Sequence, residues 1–97
     1  MIKIMKRLLT LVVLLFLVGL PEGRAESQDE QYVRIYNLIQ QADSLNEPGQ
    51  AVQALAKYLE AQTALKKFQT LNPGWNTKVV KFRLMYLESQ ITPLVTR

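Results

Sequence analysis

A chain of 97 residues with twelve Lys or Arg, eight Asp or Glu, and neither histidine nor cysteine is the size of a single domain. The missing residue types remove disulfides, imidazole and thiolate metal ligands, and the commonest nucleophile and base of covalent catalysis. The net charge of +4 would suggest a polyanionic partner if it were spread along the chain, but it is gathered at the N-terminus.

Lys3, Lys6 and Arg7 precede an uncharged stretch, Leu8 to Leu20, which runs into Pro21, Glu22 and Gly23. A basic start, a short apolar middle and small residues before a cut form a secretory targeting segment, expected over 1–25. Gly23 and Ala25 supply the small side chains that a signal peptidase accepts, so cleavage is expected between Ala25 and Glu26. A spanning helix needs roughly 20 apolar residues, and Leu8 to Leu20 offers only thirteen positions. The alternative is an uncleaved N-terminal anchor. No cysteine follows the apolar run to carry a lipid.

With Lys3, Lys6, Arg7, Arg24 and Glu22 gone, eight basic residues face seven acidic ones. Such a balance gives no reason to expect nucleic acid as a partner. The remaining domain, 26–97, has 72 residues and buries only about 60% of the surface its unfolded chain exposes. Without disulfides it must be stabilised by close helix packing, by self-association or by a partner.

Three segments of helical period follow, at about 28–46, 50–71 and 77–91. In the first, Ser27 is placed to cap, and Asp29 and Glu30 sit where the helix dipole favours negative charge. Ile35, Leu38, Ala42 and Leu45 form its apolar stripe, widened by Tyr32, Tyr36 and Ile39. Asn46, Glu47, Pro48 and Gly49 end it, through the missing N–H of proline and the left-handed geometry that Asn and Gly tolerate. The second is alanine-rich, with Ala51, Ala54, Leu55, Tyr58, Ala61, Leu65 and Phe68 on one face and Lys57, Glu60, Lys66 and Lys67 exposed; Asn72, Pro73 and Gly74 stop it in the same way. The third starts after Trp75 with Asn76 or Thr77 as cap and carries Val80, Leu84, Leu87 and Ile91 on one stripe. Thr92-Pro93 is expected to end it, because the residue before proline is pushed out of helical geometry, and Leu94 to Arg97 would be a frayed tail. Short connections make consecutive helices antiparallel, so the expected fold is an all-α three-helix bundle.

Over Ile35 to Leu65 the chain resembles the tetratricopeptide repeat, a helix-turn-helix unit of about 34 residues. Ala42 stands at the small position of the first helix, Leu45 at the large one near its end and Gly49 at the turn. Ala54, Tyr58 and Ala61 match the second helix in type and spacing, so two alanines and a ring fall on one face and let a neighbour approach closely. The chain departs from the pattern at Gln41, which replaces a large hydrophobic residue, and at Lys66, which stands near where the repeat has its proline. Pro73 comes two turns later, and Trp75 to Ile91 makes half of a second repeat. A longer second helix in a three-helix unit is also similar in shape to the MIT domain, which docks helical motifs between its helices.

The tetratricopeptide resemblance implies a partner-binding face on the first helix, formed here by Tyr36, Ile39, Asp43 and Asn46. Ile39 and Asp43 are the wrong types to grip a C-terminal carboxylate, which leaves an apolar or helical protein segment as the expected partner. In the other reading Tyr32, Tyr36 and Ile39 complete the core against the third helix. Trp75 is expected to fold back over the open end of the bundle. The carboxylates Glu26, Asp29, Glu30, Asp43, Glu47, Glu60 and Glu88 are scattered, with no spacing that suggests a catalytic pair, so no catalytic residue, cofactor or metal is expected. Two modes of action remain: capture of a protein or helical peptide, and formation of a homodimer by a self-associating module. The third helix discriminates between them, since exposure of Val79, Phe82 and Tyr86 beside Lys78, Lys81, Arg83 and Glu88 would call for a partner.

Overall fold

The computed structural model describes residues 26–96. The targeting segment expected over 1–25, with Ala25 of the expected cut, and Arg97 lie outside the described residues, which begin at the exposed Glu26. Three helices follow in order: α1 (Gln28–Leu45), α2 (Ala51–Leu71) and α3 (Thr77–Val95). No strand occurs among the described residues, and five-residue connections, 46–50 and 72–76, turn each helix back along its predecessor. The fold is an all-α bundle of three helices.

The central helix is α2. It contributes Ala54, Tyr58, Ala61, Leu65 and Phe68 to the core, against Ile35, Ile39 and Ala42 from α1 and Val80, Leu87 and Ile91 from α3. Ala42, Ala54 and Ala61 are fully covered; their small side chains let the backbones close in, and Tyr58, Ile39, Leu65 and Leu87 fill the remaining space. Burying a side chain of the latter kind contributes about 1.5–3 kcal/mol.

Local chemistry sets the helix ends. Ser27 Oγ accepts from the Glu30 N–H at 3.1 Å, with Asp29 and Glu30 in the first turn. At the first turn left-handed geometry falls on Gly49 (φ +90°) and not on Asn46 (φ −78°). A Cβ at Gly49 would meet nothing within 4 Å, so glycine is needed there for its backbone and not for space. At the second turn Asn72 closes α2 by donating both its N–H (2.8 Å) and its Nδ2 (3.1 Å) to the Phe68 carbonyl. The left-handed residue there is Asn76 (φ 34°), which precedes α3 without a side-chain capping bond.

One boundary differs from the sequence expectation. α3 does not stop at Ile91: it passes through Thr92 and Pro93 to Val95. Proline this close to a C-terminus removes a single ladder bond. Continuing past it brings Leu94 against the core, and the Thr96 N–H still reaches the Thr92 carbonyl at 3.2 Å. Leu94 and Val95 are therefore part of the helix and not a frayed tail.

Trp75 covers the end of the bundle where α1 begins and α2 ends. Its ring lies 4.8 Å from that of Tyr32 and edge-on to Phe68 at 5.1 Å, and its Nε1 donates to Asp29 Oδ1 at 2.9 Å. The apolar body is packed and the polar edge satisfied, the arrangement a half-buried tryptophan requires.

Candidate functional site

α3 meets α1 through side chains of Tyr36, Asp43 and Asn46, while Ile39 turns into the core. Ile39 is wholly buried. Tyr36 is half-buried beneath the Arg83 guanidinium, 4.9 Å from its ring centroid, and Arg83 Nε also donates to the Tyr32 hydroxyl at 3.3 Å. Asn46 Nδ2 donates to Gln90 Oε1 at 3.2 Å. A protein partner would reach this face only where α3 leaves it open, at the Tyr36 ring and the edge of Asn46.

Asp43 occupies the point where the three helices meet. Its Oδ1 accepts the hydroxyl of Tyr58 from α2 at 2.6 Å and that of Tyr86 from α3 at 2.7 Å. Burial, and then the adjoining Asp43 carboxylate, push the Tyr58 hydroxyl well above the ordinary tyrosine pKa. The same two causes in the same order push Tyr86 up to about 12. Both hydroxyls stay protonated and donate, and no buried side-chain N or O among the described residues lacks a partner. Sequence reasoning gave Tyr58 to packing alone and set Tyr86 on the face of the third helix that could call for a partner. The missed signal was Asp43 itself, beside Ala42 and one turn past Ile39 on the apolar stripe, where a carboxylate cannot remain without donors.

The residues matched to the repeat pattern lie along the α1–α2 contact. Ala42, Ala54, Tyr58 and Ala61 are buried, Leu45 is half-buried against the core, and Gly49 sits in the turn.

On the side of the α1–α2 pair away from α3 the two helices enclose an open groove of about 680 Å³. Ile35 and Leu38 from α1 and Ala64, Phe68 and Leu71 from α2 supply its apolar lining. Leu71 is 65% exposed. The rim carries both signs of charge: Glu26 and Arg34, paired at 2.9 Å, on one wall, and Glu60 and Lys67 on the other. Glu60 meets Lys57 at 3.2 Å, whereas Lys67 has no ion-pair partner among the described residues. Both pairs are largely exposed and add little to stability.

The outer face of α3 is intermediate between a polar cap and an apolar strip. Lys78, Lys81 and Glu88 are exposed and Arg83 is half-buried. Phe82 and Met85 are exposed at 61% and 64%, whereas Val79 and Tyr86 are half-covered. Phe82 and Met85, three residues apart, are neighbours on one face of α3.

Among the described residues no helix is long and apolar enough to cross a membrane, and no three acidic side chains gather as a metal site. No protein-family model, curated protein or solved structure matches the chain.

Proposed function

We propose that this chain is an exported, non-catalytic protein-interaction module of tetratricopeptide type, acting in the periplasm or outside the cell, whose α1–α2 groove receives a helix of a protein partner. The observation that carries this reading is the groove, with an apolar floor, a charged rim and a small residue, Ala64, at mid-length. A helix laid there would bury Leu38 and Leu71 and keep its own polar side toward solvent. The buried Ala42, Ala54, Tyr58 and Ala61 and the turn at Gly49 support kinship with the repeat. Export rests on the basic and apolar pattern of 1–25. In the alternative reading that segment stays attached and the same module works as an anchored envelope protein.

Site-specific photo-crosslinking in cells that export the full chain tests both points. A photoreactive phenylalanine analogue at Leu71 or Ala64, in the groove, is expected to yield protein adducts. The same group at the exposed Lys66, on the side of α2 turned away from the groove, is expected to yield none. Absence of groove adducts would count against the interaction reading. Intact mass of the exported chain, expected to begin at Glu26, decides between release and anchoring.

A further inference from the structure

We propose that the helix received by the α1–α2 groove is the α2 of a second copy of this chain, the two copies being related by a two-fold axis at Ala64. The inference rests on the groove being a docking surface and names its occupant.

The groove-facing stripe of α2 reads Glu60, Ala64, Lys67, Phe68 and Leu71. When two copies of a helix cross antiparallel at one residue, positions before it on one copy meet positions the same distance after it on the other. About Ala64, Glu60 lies four residues before and Lys67 three residues after, an offset of one residue, or about 1.5 Å along the axis. Glu60 of each copy therefore faces Lys67 of the other, and the pair forms twice. Lys67, which lacks an ion-pair partner within the described chain, acquires one. Leu38 and Leu71 lie toward opposite ends of the groove, so the same rotation brings the Leu71 end of one copy over the Leu38 end of the other. Ala64 at the crossing lets the two backbones approach, as small residues do within the bundle itself. One self-complementary patch closes on itself and leaves no edge for further growth.

The test is a charge exchange read by light scattering and sedimentation on the protein purified as exported, over a wide concentration range at low salt. Wild type is expected to be a dimer. Glu60→Lys and Lys67→Glu are each expected to weaken it by about tenfold or more, because each places two like-charge contacts across the axis. The double variant Glu60→Lys/Lys67→Glu is expected to return to within about threefold of wild type. Both positions are exposed, and unchanged circular dichroism will show that the fold is kept. A monomer at all concentrations, or a dimer indifferent to these charges, overturns the inference. The crosslinking at Ala64 separates its failure from that of the broader reading. An adduct of twice the chain mass supports the second copy, an adduct of any other mass excludes it and keeps the interaction module, and no adduct removes both.

Discussion

Asp43 shows what a single residue does in so small a core. Two tyrosine hydroxyls depend on one of its carboxylate oxygens, so Asp43→Ala leaves two donors, one of them wholly buried, without an acceptor. The expected loss of unfolding free energy is about 2–4 kcal/mol, measured by urea titration. Asp43→Asn keeps a carbonyl acceptor and is expected to lose less than half as much. The tyrosines also set an alkaline limit. Their folded pKa values lie above the unfolded value of about 10, so their contribution is complete below pH 10 and is lost as pH rises through the folded values, the lower being about 12 for Tyr86. Helical circular dichroism is expected to hold to about pH 10 and fall towards pH 12. Tyrosinate absorbance missing from Tyr58→Phe and Tyr86→Phe should appear with that fall; its appearance near pH 10 with helicity intact would contradict the shifts. At this scale the sequence was only partly legible. Ala42, Ala54 and Ala61 announce their packing through size and period. Asp43 announces that it needs partners but not which, because its donors come from helices 15 and 43 positions away.

The elements themselves were legible because punctuation and period agree. Ser27 with Asp29 and Glu30 begins α1, Pro48 and Gly49 separate α1 from α2, and Pro73 and Gly74 separate α2 from α3. The exception was the end of α3, where the local rule about Pro93 gave way to tertiary packing of Leu94. That competition cannot be weighed without knowing whether the core extends so far. Pro93→Ala restores the missing N–H and is expected to stabilise the protein by about 0.5–1 kcal/mol, read as a higher melting temperature with α3 unchanged in length. A destabilised variant would show that proline's restriction of the unfolded chain outweighs the restored bond.

For the whole molecule, the helix order and antiparallel course followed from short connections, but which grooves stay open did not. Periodicity marks one apolar stripe per helix and cannot say how a third helix divides its contacts between the other two. Tyr36 and Ile39 were legible as an apolar edge and equally suited to a partner or to the core. The α1–α2 groove was not foreseen, because Ala64 and Leu71 lie off the stripe of α2, Leu38 reads as core, and only packing shows what is left uncovered.

α2 holds both neighbours, whereas α1 and α3 meet chiefly through side-chain tips: Asp43 with Tyr86, Tyr32 with Arg83, and Asn46 with Gln90. Two tiers of cooperativity are therefore expected. The α1–α2 hairpin should open last, with α3 as a strap that lifts from it first. Amide hydrogen exchange is expected to resolve the two, with α3 amides exchanging through a lower-energy opening than those around Ile39 and Leu65, and with Asp43→Asn widening the gap. Each opening of the strap would bare Tyr36 and Asp43, so a face closed at rest becomes a second, transient surface whose availability is set by how often α3 detaches.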